Sequence, residues 1–330
     1  MAITVNEIAE QAGVSRTTVL RALNENGSIR KETRDKILKI AEENNYRPNL
    51  LARSLNHGRT MHLGVVAINI ENIYFVQHLN AINRAAEERG YFTSIAVCDE
   101  NLDDEMKLIQ QLTDRQIEGL IINPVNKGKK YSDFLKSLNI PIVCIGNRVD
   151  DSFTTVKVDE RKAAFDAFHF IVSKGYEKVI FVCPPLEDEK TQNIYTHRER
   201  LAGYHEAAEE DGKTASEVIG TKDYLTVVSD EMKKNSRKRT AFLCSGDLYA
   251  LEIMKLYKEH GYSVPGDVGV MGFDNLNFLK YVEPYLTTVS TNIKGVGAAA
   301  VDELIKAIET DDYEPKTLSL NFKIMDRESL

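Results

Sequence analysis

The sequence predicts a small all-α head joined to a larger α/β core of two lobes, each a parallel sheet flanked by helices. Three observations predict it. Residues 4–34, TVNEIAEQAGVSRTTVLRALNENGSIRKETR, hold two short amphipathic patterns separated by Gly13. From residue 62 onward, short apolar runs alternate with helical patterns almost to the end of the 330-residue chain. Charge divides the same way: residues 1–60 carry ten Lys+Arg against seven Asp+Glu (+3), and the remainder carries 32 against 43 (−11), giving the net −8.

In the first helix, over 5–11, Val5, Ile8, Ala9 and Ala12 share one stripe, and Gly13 halts it. Ser15 supplies an N-cap oxygen for the second helix, where Val19, Ala22 and Leu23 recur at helical spacing. Two such helices around a short Gly-containing turn form a helix-turn-helix, whose second helix fits the DNA major groove. Arg16, Thr17 and Arg21 lie off its apolar stripe, where side chains reach base edges. A third helix over 32–44 has Ile37, Leu38, Ile40 and Ala41 as its buried side, and Tyr46 anchors its end. Pro48 then stops helical continuation. Asn49 is placed to cap a short helix over 50–56, which Gly58 ends. That helix is too short and apolar to fold unaided, and with Arg47, Arg53 and Arg59 around it reads as a segment that orders on contact.

The strings TVNEIAEQAGVSRTTVLRALN, ETRDKIL, NYRPNLLARSL and MHLGVV resemble, in order and spacing, the lactose-repressor (LacI/GalR) family of bacterial transcription regulators, and the likeness runs nearly to the last residue. The resemblance implies a head at 1–46, a hinge and linker at 47–60 and an effector-binding core at 61–330, of periplasmic-binding-protein architecture. Its N-lobe is expected at about 61–160 and 292–322, and its C-lobe at about 161–290 and 323–330. Arg16, Thr17 and Arg21 fall on the base-reading positions, and Thr4, Ser15, Asn24, Ser28, Thr33 and Asn49 join them as DNA contacts. Leu55 matches the hinge leucine wedged between base pairs in the minor groove, with Ala52 packed beside it; such wedging kinks the duplex and enlarges the contact surface. Leu20 stands where family members usually carry Ser, and is expected to touch the DNA backbone or a thymine methyl, predicting an operator that departs from the family standard.

The core strands are expected at 62–68, 93–98, 119–122, 141–145, 155–158, 179–182, 241–244 and 268–272, and the helices at 74–89, 105–115, 161–174, 198–210, 247–260 and 297–310. Short, wholly apolar strands between helices mean parallel sheets covered on both faces, with ligands beyond the strands' carboxyl ends. Crossings between lobes are expected near 159–162, 290–293 and 321–324. At strand ends, Tyr74 and Phe75 offer an aromatic face suited to a sugar ring or a base, and Asn147 and Arg148 follow the 141–145 run. The resemblance places Arg200 on the ligand-clamping arginine and Asp274 on the effector-binding acid. Gly246 replaces a usual Asn, and Asp247 is expected to cap the helix it begins. Arg198, His197 and His205 read as solvated helix residues.

Cys98, Cys144, Cys183 and Cys244 sit in or beside apolar runs with no CxxC spacing, and read as buried strand residues of a reducing cytoplasm. KGVGAAAVDELI contains GxGxxA but late in the chain, so it reads as a packing helix. No metal-ligand spacing, nucleophile elbow or phosphate loop occurs, so no catalytic residue, cofactor or metal is expected. No run reaches the ~20 apolar residues of a membrane span, and the N-terminus lacks signal-peptide regions. The expectation is a cytoplasmic repressor, a homodimer on a palindromic double-stranded operator, switched by a small molecule, most simply a sugar. The alternatives are a solute-binding or sugar-metabolising protein with an incidental head, or a regulator answering to a nucleobase or a partner phosphoprotein.

Overall fold

The computed structural model describes residues 3–23, 29–46, 59–186, 188, 191–234 and 238–330. It divides into two compact units, Met1–Thr60 and Met61–Leu330.

In the first unit, α1 (Val5–Ala12) opens on a capping box, in which Thr4 Oγ1 accepts from the Glu7 N–H and Glu7 accepts from the Thr4 N–H. It closes on Gly13 at φ 70°, a left-handed C-cap that a side chain would resist. The Ser15 hydroxyl accepts from the Thr18 N–H at 3.2 Å and so starts α2 (Arg16–Leu23). With α3 (Lys31–Glu43) these helices enclose Ile8, Val19 and Ile37, all fully buried, with Ala9, Ala12, Ala22 and Ala41 between them. Leu38 departs from expectation at 39% exposed. Ile37 and Ala41, one helical turn apart, are buried in so small a core and Ile40 packs partly against it, whereas Leu38 points away. Lys36 reaches across to the Ala12 carbonyl at 2.9 Å, satisfying the open end of α1.

In the second unit, strands β1 (His62–Ala67), β2 (Phe92–Val97), β3 (Gly119–Ile122), β4 (Ile142–Ile145), β5 (Thr154–Val158) and the late β11 (Thr317–Leu320) form one parallel sheet, in the order β2-β1-β3-β4-β5-β11. Helices α4 (Ile73–Glu88) and α11 (Ile293–Glu309) cover one face, and α5 (Leu102–Thr113) and α6 (Lys129–Ser137) the other. Neighbouring strand residues serve opposite faces: Val65 packs on the first pair and Val66 on the second. The second sheet runs β7-β6-β8-β9-β10-β12, from β6 (Lys178–Val182), β7 (Ala215–Ile219), β8 (Thr240–Cys244), β9 (Gly269–Asp274), β10 (Thr287–Ser290) and β12 (Lys323–Met325), the last pair antiparallel. Helices α7 (Glu160–Ser173) and α8 (Tyr195–Asp211) take one face, α9 (Tyr224–Lys233) and α10 (Asp247–Glu259) the other. The chain passes from one sheet to the other after Val158, before Ile293 and after Leu320.

Strands β7, β10, β11 and β12 and helices α6 and α9 were not among the expected elements. All four strands are outer members of their sheets or next to one, and the three longer ones lack a wholly apolar run: ASEVI holds two adjacent polar residues, TLSL alternates, and TTVS buries hydroxyls. Helices α5, α8 and α11 begin three to four residues earlier than expected, two of them at asparagine caps, Asn101 and Asn292. The GxGxxA segment lies in α11, where a Cβ on Gly297 would sit 2.7 Å from Ala81 Cβ, so glycine serves close helix packing against α4. All four cysteines are free and buried. Among the described residues, no helix is long and apolar enough to cross a membrane.

Helices α7 and α8 cross closely, since a Cβ on Gly203 would lie 1.9 Å from the Arg161 carbonyl oxygen. Gly203→Ala therefore forces two helices apart, and is expected to lower stability to urea unfolding by about 2 kcal/mol. An unchanged midpoint would mean the helices cross more loosely.

Candidate functional site

In the head, Arg16, Thr17 and Arg21 are exposed on α2, on the side away from buried Val19 and Ala22. Leu20 is half-buried and takes no part in the head's core, so an apolar group stands on the same outer surface. Thr4 and Ser15 have their hydroxyls engaged at helix caps, and Thr33 is half-buried in the first turn of α3. Asn24, Ser28, Asn49, Ala52 and Leu55, and with them the expected hinge helix, lie outside the described residues.

In the core, a cleft of about 460 Å³ opens beyond the carboxyl ends of both sheets: Ile68 and Asn69 follow β1, Asn123 follows β3, Asn147 follows β4, Ser245 follows β8, and Asp274 ends β9. Arg200, only 2% exposed, projects from α8 into its floor. Its Nε donates to Glu160 Oε2 at 2.7 Å, its Nη1 to the Ser245 carbonyl at 2.8 Å, and its Nη2 lies 3.5 Å from Asp274 Oδ1. The guanidinium also stacks on Phe273 at 3.9 Å. These bonds engage three of a guanidinium's five N–H groups, so a flat, fixed donor pair remains for a ligand. Burial and the two carboxylates act oppositely on Arg200, and the carboxylates prevail, holding its pKa above the ordinary value.

Asp274 stands at φ 109°, a left-handed backbone that a non-glycine residue adopts at a cost and that is common at ligand sites. Burial drives its carboxyl well above the usual range, against the pull of Arg200. Its neighbour Asp247 is fully buried but does not cap α10, as expected from sequence: Gly246 occupies the cap position. Instead Asp247 accepts from Thr288 Oγ1 at 2.5 Å and from the Leu276 N–H at 2.8 Å, pinning the chain that follows Asp274. Burial lifts it to about 7. Because that folded value exceeds the unfolded one, near 4, the folded protein holds a proton the unfolded chain releases. The stability contributed by this carboxyl is then fully present below about pH 4 and is lost as pH rises toward 7. Asp247→Asn keeps both contacts without a charge, so its stability relative to wild type is expected to grow by roughly 1 kcal/mol per pH unit across that window. A pH-independent difference would remove the buried charge from the explanation.

Tyr74 and Phe75 begin α4 at the cleft wall, with ring centroids 5.2 Å apart and edge to face. Asn72 caps that helix by accepting from the Tyr74 N–H. Asn147 lines the cleft with its amide engaged: Nδ2 donates to the Pro124 and Asn193 carbonyls, and Oδ1 accepts from the Thr196 N–H. It ties the first lobe's loops to the start of α8. Arg148 turns aside to pair with Asp151 and is not part of the cleft lining.

Two further residues were not marked in the sequence. Glu160, 3% exposed, backs Arg200 from forty positions away, yet as the first residue of α7 it resembles an ordinary first-turn acid. His197 was read as solvated, and is instead half-buried in the cleft wall, with Nδ1 2.8 Å from Ser245 Oγ. Burial, helped by Arg200, lowers its pKa to about 3, leaving a neutral imidazole at physiological pH. Because α8 begins three residues earlier than expected, the first turn that carries His197 faces the cleft. His205 and Arg198 are exposed.

Comparison with known proteins follows the same division. Residues 4–49 match the family described as bacterial regulatory proteins, lacI family, and residues 168–330 match a periplasmic binding protein-like domain. The HTH-type transcriptional regulator AscG of Escherichia coli (strain K12) is 31% identical over 337 residues, covering 99% of this chain and 98% of the relative. The lac repressor bound to ONPG in the repressed state superposes with a TM-score of 0.87 at 22% identity, covering all of both chains. The complex of the transcriptional regulator CelR with cellobiose superposes at 0.70, also at 22% identity, over 99% of each. With a helix-turn-helix head of this type and a full-length relative at that identity, the chain belongs to the LacI family of DNA-binding bacterial transcription regulators.

Proposed function

We propose that the protein is a cytoplasmic, non-enzymatic repressor, acting as a homodimer on a palindromic operator, whose DNA affinity is set by a sugar bound in the cleft. The observation that carries the ligand reading is the Arg200–Asp274 pair on the cleft floor, 3.5 Å apart and beneath the aromatic wall of Tyr74 and Phe75. A guanidinium and a carboxylate side by side can donate to and accept from adjacent hydroxyls, and an aromatic face suits the C–H side of a sugar ring. CelR, of the same fold, holds cellobiose. Dimerisation is supported by the outer strand β2, which leaves Phe92 69% and Ile95 47% exposed. A paired head would read two half-sites. The aromatic wall would also receive a nucleobase, which is the competing reading.

Thermal-shift measurements with panels of carbohydrates and nucleobases test the assignment. A sugar is expected to raise the melting temperature of the wild type and to have no effect on Asp274→Ala. Stabilisation by a nucleobase and by no sugar would transfer the site to the competing ligand.

A further inference from the structure

We infer that Arg327, which follows the last strand, is a positioning residue for the effector acid: it holds the Asp274–Asn275 bend in the shape that presents Asp274 to the cleft, and so sets ligand affinity without touching ligand. This rests on the reading of Asp274 as an effector contact. Asp274 and Asn275 are consecutive non-glycine residues with positive φ, 109° and 58°. Asparagine is at home near 58°, but 109° lies beyond the left-handed well. Such backbone persists only where its surroundings over-determine it. Part of the hold is Asp247, which accepts from the Leu276 N–H. The rest falls on Asn275. Its N–H donates to Thr288 Oγ1 at 3.4 Å and its Nδ2 to Ser290 Oγ at 3.3 Å, both long, while its Oδ1 accepts from Arg327 Nη2 at 2.6 Å. The shortest of the three, and the one assisted by charge, comes from a side chain 52 positions away.

Arg327 is braced for this task. Its Nη1 donates to the Leu286 carbonyl at 2.9 Å, its backbone N–H to Thr287 Oγ1 at 3.0 Å, and its guanidinium stacks on Tyr285 at 3.9 Å. Those contacts fix the arginine to the chain that enters β10, and one edge of its planar fork reaches Asn275. Ser329, fully buried, anchors the same segment by donating to the Val270 carbonyl at 2.6 Å and accepting from the Thr287 N–H at 2.8 Å. Arg327 is not part of the cleft lining. Its charge also opposes the burial that lifts Asp247, so one side chain acts on both residues that pin the bend.

Hydrogen–deuterium exchange of the full-length protein without ligand reads the hold on the bend. Arg327→Ala is expected to speed exchange of the Asn275 and Leu276 amides about ten-fold. Arg327→Lys, which keeps the charge and loses the fork, is expected to speed it about three-fold, and keeps the test readable should the alanine variant fail to fold. Ser329→Ala loosens the same segment without a contact to Asn275. It is expected to lower the melting temperature and to leave both amides as in wild type. In an Asn275→Gly background, where a left-handed backbone costs little and no side-chain amide remains, Arg327→Ala is expected to add less than about two-fold. Titration calorimetry with cellobiose, lactose, ribose and glucose supplies the second readout: whichever sugar binds is expected to bind Arg327→Ala about ten-fold more weakly. Exchange unmoved by the Arg327 variants, or moved as much by Ser329→Ala, overturns the positioning role. Faster exchange with sugar affinity intact overturns the link from bend to ligand. No heat from any sugar overturns the sugar reading, and exchange at the bend then decides the role of Arg327 by itself.

Discussion

Replacing Arg200 by alanine is expected to abolish sugar-induced stabilisation and to lower the stability of the core by about 3–5 kcal/mol. The size follows from what the guanidinium separates. Glu160 and Asp274, 3% and 9% exposed, lie on either side of it, and both would be left buried with no counter-charge. The Ser245 carbonyl would lose its donor, and Phe273 the flat cation stacked on it. Arg200→Lys restores the charge but only as a point, without the planar fork. It is expected to recover most of the stability and little of the ligand affinity. Urea unfolding and titration calorimetry on both variants separate the two roles. Full ligand binding by Arg200→Lys would show that the site needs charge alone, and full stability of Arg200→Ala would show that the two acids are not held by the guanidinium.

The second large effect is expected on DNA. Arg16→Ala and Arg21→Ala should each weaken operator binding by about 1–3 kcal/mol while the melting temperature of the protein stays within a degree or two, because both side chains are exposed and neither belongs to the head's core. The salt dependence assigns their partners. An arginine that reads a base loses discrimination between operator variants; one that neutralises a phosphate weakens all sequences alike and lowers the slope of log K against log salt by about one. Equal loss on specific and random DNA with an unchanged slope would place these residues away from the interface.

Much of this was legible in the chain because the relevant signals are local. Gly13, Ser15 and the Val19–Ala22 spacing declare two helices within twenty residues, and their outward residues follow from the period alone. Fully buried strands such as GLII and IVCI are equally plain, since parallel sheets covered on both faces need apolar residues at every position. Edge strands are not, because a strand with one open side mixes polar and apolar residues as loops do. The cleft separates along the same line. Arg200 and Asp274 were marked through a family resemblance, whereas Glu160 and His197 gain their roles only when α7, α8 and the end of β8 converge. Asp247 looked like a helix cap because acids commonly start helices, but its partners Thr288 and Leu276 come from chain distant in sequence. Arg148 shows the converse: its position at a strand end suggested a ligand contact, and Asp151 three residues on satisfies it instead.

A ligand in the cleft matters to transcription only through different affinities for two arrangements of the same chain, and a coupling of about 1–3 kcal/mol is typical. The direct measurement is fluorescence anisotropy of a selected palindromic operator with full-length protein at fixed salt, with and without the sugar that stabilises the core. A change in operator affinity of at least about five-fold is expected for wild type and none for Asp274→Ala. An operator affinity identical with and without a saturating sugar would contradict a ligand-controlled switch.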